Sequence, residues 1–279
     1  MKIIVLGSKG MLGTDLVQAL SETQHTTISF SHSNVDIAKS DDTERIKKEN
    51  PDIIINCAAY TNVDLAETEK EKCYAANVAG IRNLAAACKS TGAVLITFST
   101  DYIFDGEKEA YDEDDSKNPI NYYGKTKAEG EEVITRHLDK YYILRTSWLF
   151  GKNGRNFVST IAKLCSEKPE IKVVNDQRGR PTYTKDLVKA TLHIIENMEQ
   201  YPPGIYHTTN RGACSWFEFA GEIGRLIHTS CRIMPCTTAE FPRPAKRPKF
   251  SVLNNNKLPE MRNWKDALYD YLKSDLRLT

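Results

Sequence analysis

The chain has 279 residues, of which 40% are hydrophobic and 27% are charged, the composition of an ordinary globular protein. Its 38 Lys and Arg residues nearly balance 37 Asp and Glu residues, which argues against a dedicated nucleic-acid-binding protein. No apolar run approaches the roughly 20 residues that a membrane-spanning helix needs, so we expect no membrane partner.

Short apolar runs alternate with longer helical patterns in the first part of the chain. Strands are predicted at residues 2–7, 26–30, 51–59, 93–100 and 141–149. Helices are predicted at residues 11–22, 66–90 and 123–137. Strands separated by helices form right-handed βαβ units, which build a parallel sheet with helices on both faces. The sequence therefore predicts an α/β protein with a Rossmann-type, doubly wound sheet.

The alternation becomes less regular after residue 150. Helices are predicted at 156–167, 185–197 and 215–227, and strands at 171–175 and 204–208. A basic, proline-rich stretch, FPRPAKRPKF, follows at 241–250. We therefore expect an NAD(P)-binding domain at 1–150, to which the chain returns around 171–197, and a smaller substrate-binding lobe within 151–279.

Three glycines follow the first predicted strand, in the sequence GSKGMLG. Gly7, Gly10 and Gly13 are three residues apart and lie between the first strand and the first helix of a βαβ unit. Glycine lets the backbone N–H groups approach a phosphate closely, and the helix N-terminus attracts its negative charge. This turn predicts a site for the pyrophosphate of a dinucleotide.

The end of the second strand indicates which dinucleotide is preferred. An acidic residue usually stands there in NAD-binding proteins, where it binds the ribose 2′-hydroxyl. This chain has Ser31, His32 and Ser33 at that place, so no carboxylate repels a 2′-phosphate. We therefore expect NADPH, with NADH as the alternative, and a side chain of Asp36 or Ile37 beside the adenine.

Two further motifs predict the chemistry. The fourth strand ends in Ser99, Thr100 and Asp101, at the sheet edge where ligands bind. Tyr123 and Lys127 follow at i and i+4, on one face of a helix. A nearby ammonium favours the phenolate form of tyrosine, so Tyr123 can give a proton to a carbonyl and later recover it. A hydroxyl of Thr100 or Ser99 can bind the same carbonyl oxygen, and together these groups predict ketone reduction.

Seven segments resemble the dTDP-4-dehydrorhamnose reductase family of extended short-chain dehydrogenases/reductases. They are GSKGMLG (7–13), NCAAYTNVDLAE (56–67), STDYIFDG (99–106), YGKTKAEGE (123–131), LRTSWLFG (144–151), NDQRGRPTY (175–183) and RPKFSVL (247–253). The resemblance implies hydride transfer to C4 of dTDP-4-dehydro-6-deoxy-L-mannose, whereas the residues alone indicate only ketone reduction. The related 4,6-dehydratases carry an Asp-Glu pair where this chain has Asp101-Tyr102, which argues against dehydration.

The resemblance also implies residue roles. The predicted cofactor-binding residues are Gly7, Gly10, Met11, Leu12, Gly13, Asp36, Ile37, Ala58, Ala59, Thr61 and Lys127. The predicted catalytic residues are Thr100, Tyr123 and Lys127, and Thr100, Asp101, Tyr123 and Trp148 are predicted to contact the sugar nucleotide. Some family members form dimers through Mg²⁺ held by glutamates. Asp15 and Asp186 fall near such positions, but the C-terminal sequence supplies no clear third carboxylate, so no metal site is predicted.

Two features of the smaller lobe carry separate predictions. Arg247, in the basic stretch 241–250, is predicted to grip the substrate diphosphate. Trp216 and Phe217 are predicted to pack in the core of this lobe, with stacking on the thymine of the substrate as the alternative.

Several alternatives stay open. The chain could reduce a related 4-ketosugar, act as an epimerase, or bind NADP without catalysis as a regulatory subunit, and it could be a monomer or a homodimer. The first residues, MKIIVLG, lack the regions of a signal peptide, and the seven cysteines include no Cys-x-x-Cys pair. We therefore expect a cytoplasmic protein with free thiols.

Overall fold

The computed structural model of the chain describes residues 1–278. Its strands are β1 Lys2–Leu6, β2 Thr26–Phe30, β3 Ile53–Asn56, β4 Val94–Thr100, β5 Ala110–Tyr111, β6 Tyr141–Thr146, β7 Leu149–Phe150, β8 Glu170–Val174, β9 Arg178–Gly179, β10 Thr182–Tyr183, β11 Gly204–His207, β12 Cys214–Ser215, β13 Arg232–Cys236 and β14 Val252–Leu253. Its α-helices are α1 Met11–Ser21, α2 Ser40–Lys48, α3 Lys70–Tyr74, α4 Gly80–Thr91, α5 Tyr122–His137, α6 Phe157–Glu167, α7 Thr184–Glu196, α8 Trp216–Leu226 and α9 Trp264–Asp270. None of the described helices is long and apolar enough to cross a membrane.

The main sheet has six parallel strands in the order β2-β1-β3-β4-β6-β11. This arrangement confirms the predicted Rossmann-type fold. The strand β1 has β2 on one side and β3 on the other, so the order reverses at β1. Ligands of such sheets bind at the carboxyl ends of the strands next to this reversal. The glycine turn and the ends of β3 and β4 meet there.

The central strands of the main sheet are buried on both faces, which explains why β1 and β3 are almost continuously apolar. Along β1, Ile3 and Val5 pack in a cluster with leucines of α1 and α7. Ile4 and Leu6 point to the opposite face and pack in a second cluster with residues of α2, α4 and α5. The two helical layers hold the sheet rigid and fix its carboxyl edge.

A smaller set of elements packs around its own aromatic core. The strands β8 and β13 pair in parallel, and α6, α8 and α9 surround a cluster that contains Phe150, Phe219 and Trp264. Two later elements belong with the main sheet, because α7 lies against α1 and β11 pairs with β6. We propose a larger lobe of residues 1–150 that also includes α7 and β11, and a smaller lobe for the other C-terminal elements.

The structure differs from the predicted elements in several places, and the five-residue strand β13 and several two-residue strands are not predicted. The helices α2 and α9 are not predicted, since each is short and α2 buries only Thr43 and Ile46. The predicted helix 66–90 is interrupted by a π turn at Ala75–Ala79, between α3 and α4. Asn77 of this turn bonds to the Tyr60 backbone and to the Thr126 hydroxyl. These long-range bonds favour an irregular turn that the local sequence does not reveal.

Candidate active site

A cavity of about 480 Å³ opens at the carboxyl ends of β1, β3, β4 and β6. Among its lining residues are the predicted site residues Gly10, Met11, Leu12, Ala58, Ala59, Thr61, Thr100, Asp101, Tyr123, Lys127 and Trp148. Other lining residues include Ser99, Tyr102 and Trp216. The fold thus brings together side chains from segments that are far apart in the sequence, and the wall of the cavity includes residues from both lobes.

The glycine turn is shaped for a ligand that needs close backbone contact. Gly7 has φ +69°, and a Cβ there would lie 2.8 Å from the Ala58 nitrogen. A Cβ on Gly13 would lie 2.2 Å from the Gly7 carbonyl oxygen, so only glycine lets α1 approach β1 this closely. Gly10 is the N-cap residue of α1 and has no side chain to bond to the helix. The first N–H groups of the helix are therefore free. These features fit a dinucleotide pyrophosphate.

The loop after β2 presents hydroxyl and cationic groups. The Ser31 and Ser33 hydroxyls are 2.8 Å apart, and Ser31 also donates to Asn34. The guanidinium of Arg45 on α2 reaches this loop and donates to the Asn34 carbonyl at 2.8 Å. Sequence reasoning missed Arg45 because it lies on the unpredicted helix α2.

Asp36 and Ile37, predicted to flank the adenosine, are not in the lining of the cavity. Ile37 is 3% exposed and packs against Gly80 of α4, so its side chain belongs to the core. The Asp36 carboxylate accepts a bond from the Ala38 N–H. Their contact with adenosine stays a prediction.

Tyr123 lies in the first turn of α5, beside the end of β4. Asn121 caps this helix by accepting a bond from the Gly124 N–H at 2.8 Å. Burial raises the pKa of the Tyr123 phenol well above its ordinary value, although contact with the Thr100 hydroxyl opposes that rise. The phenol is therefore protonated at neutral pH. The direction of this shift is opposite to the lowering that a neighbouring ammonium favours, because burial of Tyr123 has the largest effect on its pKa.

Lys127 points its ammonium group towards the sheet. Its Nζ donates to the Phe98 carbonyl oxygen at 2.7 Å. Burial lowers the pKa of Lys127 to about 8, and the nearby Glu131 carboxylate opposes this shift. The ammonium form therefore predominates at neutral pH and is lost in mildly alkaline solution.

Asp101 is a buried carboxyl group at the end of β4. Its Oδ1 accepts a bond from the Thr100 hydroxyl at 3.0 Å, and its buried Oδ2 has no partner among the described residues. Burial raises the pKa of Asp101 to about 7, and the neighbouring Ser251 and Thr100 side chains act to lower it. An unsatisfied buried oxygen in a cavity wall is suited to receive a hydroxyl group of a ligand.

Trp148 forms a flat apolar wall of the cavity with Trp216. The two indole rings stack 3.5 Å apart with only 7° between their planes. Trp148 has φ +48°, and a Cβ on Gly179 would lie 2.5 Å from its ring, so this glycine makes room for the indole. Trp216 also packs against the core of the smaller lobe, as predicted, and it lines the cavity as well.

Arg247 is held at the edge of the site by Asp64. Its Nη1 donates to the Asp64 carboxylate and to the Ala245 carbonyl oxygen. Although burial opposes it, bonds from Arg247 and from the Ala245 N–H hold the pKa of Asp64 below its ordinary value. Arg247 is not itself in the lining of the cavity. This ion pair fastens the segment 241–250 to the loop after β3.

The two carboxylates considered for a metal bridge differ in their contacts: Asp186 is hydrogen-bonded, whereas the buried Oδ2 of Asp15 has no hydrogen-bond partner among residues 1–278. Asp186 accepts bonds from Arg262 and Asn210, both at 2.8 Å. Asp15 is buried, which raises its pKa, and the Thr184 side chain partly opposes this. Within residues 1–278, no group of three or more His, Cys, Asp or Glu side chains is arranged to hold a metal ion.

A doubly wound parallel sheet, a glycine turn shaped for a dinucleotide and a Tyr123–Lys127 pair beside Thr100 define a short-chain dehydrogenase/reductase. Residues 1–277 match the family described as the RmlD substrate binding domain. The chain belongs to this family, that of the dTDP-4-dehydrorhamnose reductases, as the sequence resemblance predicts.

Three relatives show how far this likeness extends. The spore coat polysaccharide biosynthesis protein SpsK of Bacillus subtilis (strain 168) is 38% identical over 98% of this chain and 97% of its own length. A crystal structure of a dTDP-4-dehydrorhamnose reductase from Clostridium acetobutylicum ATCC 824 is 43% identical, with a TM-score of 0.94 over 98% of this chain and 99% of that one. The dTDP-4-dehydrorhamnose reductase from Bacillus anthracis str. Ames, solved in complex with NADP, is 39% identical, with a TM-score of 0.93 over 97% of this chain and 98% of that one.

Proposed function

We propose that this protein is an NADPH-dependent oxidoreductase that reduces the C4 ketone of dTDP-4-dehydro-6-deoxy-L-mannose to give dTDP-L-rhamnose. The observation that carries the proposal is the meeting of Thr100, Tyr123 and Lys127 in one cavity beside the glycine turn. The similar reductases from Clostridium acetobutylicum and Bacillus anthracis support the substrate. The NADP complex of the latter supports the cofactor.

The glycine turn and its surroundings would hold the cofactor. The free N–H groups at the start of α1 would bind the pyrophosphate. Ala58, Ala59 and Thr61 would lie along the nicotinamide side, and Lys127 would bind the adjoining ribose. When bound, NADPH supplies the hydride for the reduction.

Tyr123 supplies the proton in the proposed reaction. Because burial keeps its phenol protonated at neutral pH, the proton is present when negative charge develops on the ketone oxygen. Loss of the proton leaves a phenolate, which the ammonium group of Lys127 on the same helical face stabilises. The tyrosine therefore acts as the acid, and the lysine makes its deprotonated form accessible.

Thr100 and Asp101 would orient the sugar. The Thr100 hydroxyl, now bonded to Asp101, lies beside Tyr123, where it can also reach the ketone oxygen. The unpartnered Oδ2 of Asp101 would accept a bond from a sugar hydroxyl. Trp148 would cover the apolar side of the 6-deoxy sugar.

Arg247 would bind the diphosphate of the sugar nucleotide while Asp64 holds it at the edge of the site. Arg247→Glu is expected to raise KM for the sugar nucleotide by at least about tenfold, because a charge-assisted bond is replaced by repulsion. The KM for NADPH should change little. Steady-state kinetics with each substrate varied in turn measures both, and an equal rise in the two KM values would contradict this role.

Arg45 and the hydroxyls of Ser31 and Ser33 would favour the 2′-phosphate of NADPH. Arg45→Ala is expected to weaken NADPH binding about tenfold and to leave NADH binding nearly unchanged, since only NADPH carries the 2′-phosphate. Fluorescence titration with each dinucleotide measures the two Kd values. Lys48→Ala on the exposed side of the same helix is the control. A parallel loss for NADH would assign Arg45 to the fold instead.

The direct test is the oxidation of NADPH by the purified protein in the presence of the dTDP-4-ketosugar. Turnover that depends on both substrates is expected, and NMR of the product should show the rhamno configuration at C4. A talo configuration would indicate the related 6-deoxyhexose reductase. NADPH binding without any turnover would favour a regulatory subunit. As part of the proposal we place the reaction in the cytoplasm, since all seven cysteines are free thiols, in a monomer or homodimer.

A further inference from the structure

A buried ion pair lies directly behind the catalytic residues. The Glu131 carboxylate accepts bonds from Nε and Nη2 of Arg145, at 3.0 and 2.8 Å. Both side chains are only 2% exposed. Burial of two charges costs several kcal/mol per ion, so a pair of this kind contributes little net stability and calls for another explanation.

The same carboxylate fastens the end of β4 to α5. The Ser99 hydroxyl donates to Glu131 Oε1 at 2.5 Å. One turn earlier on α5, Lys127 donates to the carbonyl oxygen of Phe98. Two consecutive residues of β4, immediately before Thr100, are therefore tied to the helix that carries Tyr123. The bond also turns the Ser99 hydroxyl towards Glu131, which leaves Thr100 to contact the ketone oxygen.

We propose that Glu131 is a positioning residue for ketone reduction: its buried carboxylate fixes Ser99 and Thr100 against α5 and holds the charge of Lys127. The inference rests on the proposed function. Glu131 occupies position i+8 from Tyr123 and i+4 from Lys127, so the three side chains follow one face of α5. It touches no reacting atom and acts through its neighbours.

The charged groups around Glu131 determine the direction in which removal of its carboxylate shifts the pKa of Lys127. Lys127 faces Glu131 and the Cys73 thiol of α3, and both act to raise its pKa against burial. Glu131 faces Arg145, and Lys117 lies 3.8 Å away. On the far side, the Arg145 guanidinium lies 3.4 Å from Nε2 of His207.

His207 does not add a charge to the cluster near neutral pH. Burial, assisted by repulsion from Arg145, lowers its pKa to about 4, against the nearby Glu113 and Glu131 carboxylates. His207 is thus neutral where the enzyme is assayed. Removal of the Glu131 charge therefore takes away the main anionic support of the Lys127 ammonium.

The test is Glu131→Gln, which keeps the size of the side chain and removes its charge. The Kd for NADPH is measured by fluorescence between pH 6 and pH 10, without the sugar nucleotide. The wild-type affinity should weaken above pH 8 as Lys127 loses its proton. We call this decline of affinity with rising pH the alkaline limb. In the variant, the alkaline limb should begin about one pH unit lower, so that NADPH binds about tenfold more weakly at high pH.

Two further variants separate positioning from stability. Glu132→Gln, at the exposed neighbouring position, should keep the wild-type limb. Glu131→Asp, which keeps the charge, should also restore the limb, although its shorter reach should lower kcat. If Glu131→Gln does not fold, Glu131→Gln/Arg145→Met removes both buried charges, which proteins tolerate better than the loss of one. A downward shift is still expected, but a smaller one, because removal of the Arg145 cation offsets part of the loss of the Glu131 anion.

An alkaline limb that stays in place in a folded protein lacking the Glu131 carboxylate would overturn the inference. The binding measurement does not require turnover. If the pH limb shifts but no dTDP-4-ketosugar is reduced, the proposed substrate fails and the role of Glu131 towards Lys127 stands. If turnover occurs and the limb does not shift, the inference about Glu131 fails alone.

Discussion

Tyr123→Phe is expected to lower kcat by about 10²- to 10⁴-fold while the Kd for NADPH stays close to the wild-type value. The substitution removes only the phenolic oxygen, so the ring still fills its place beside Tyr102, with centroids 6.1 Å apart. Without that oxygen, the cavity lacks the phenol that would give its proton to the ketone oxygen. Steady-state kinetics and fluorescence titration give the two quantities.

Tyr122 provides the matched control. It precedes Tyr123 in the same first turn of α5, and its ring lies beneath the Lys70 ammonium instead of in the cavity. Tyr122→Phe should therefore keep kcat within a factor of about two, since an isolated change at a partly exposed position rarely alters a site. Full activity of Tyr123→Phe would remove Tyr123 as the proton donor. Equal losses in the two variants would point to a damaged helix.

Gly13→Ala is expected to abolish measurable NADPH binding and to destabilise the fold by about 1–3 kcal/mol. The added methyl group would lie 2.2 Å from the Gly7 carbonyl oxygen and 3.0 Å from the Ser8 Cα. Both neighbours are backbone atoms, so relief requires movement of the turn or of α1. Either movement displaces the N–H groups that would bind the pyrophosphate. Thermal unfolding and NADPH titration measure the two effects.

A second glycine-to-alanine change separates a steric effect from a general effect of alanine. Gly221 lies in α8, and apart from the backbone of that helix no atom lies within 4 Å of its would-be Cβ. Gly221→Ala should stabilise the protein by about 0.5–1 kcal/mol, because alanine is the better helix former, and should leave NADPH binding unchanged. Tight NADPH binding by a folded Gly13→Ala protein would show that the turn does not hold the pyrophosphate.

The fold could be predicted largely from local patterns. The apolar run at Ile53–Ile55 is nearly continuous because the sheet is covered on both faces, and glycines punctuate the β1–α1 connection. These signals lie within a few residues of one another in the sequence. The helix α2 escaped prediction since it buries only one large apolar side chain, Ile46. The π turn at Asn77 escaped because its partners, Tyr60 and Thr126, are 17 and 49 residues away.

Some residues of the candidate site could be predicted from the local sequence, and others could not. The spacing of Tyr123 and Lys127 and the strand end at Thr100 can be read locally, and the cavity contains all three. Glu131 and Asp64 could not be found so readily, because each acts through a partner distant in sequence. Arg45 was missed because it lies on the unpredicted helix α2. Asp64 meets Arg247 across 183 residues, and Glu131 meets Ser99 across 32. A carboxylate on a helix is usually solvated, and only the fold places Glu131 among Ser99, Arg145 and Lys127.

The central claim is that this chain delivers hydride from NADPH to C4 of the sugar. Its most direct test is the reduction of dTDP-4-dehydro-6-deoxy-L-mannose with NADPH carrying deuterium at the nicotinamide C4, followed by NMR of the product. We predict dTDP-L-rhamnose with a single deuterium at C4 of the sugar from one of the two stereospecifically labelled cofactors, and none from the other. A product without deuterium from either cofactor, or no product at all, would contradict the claim.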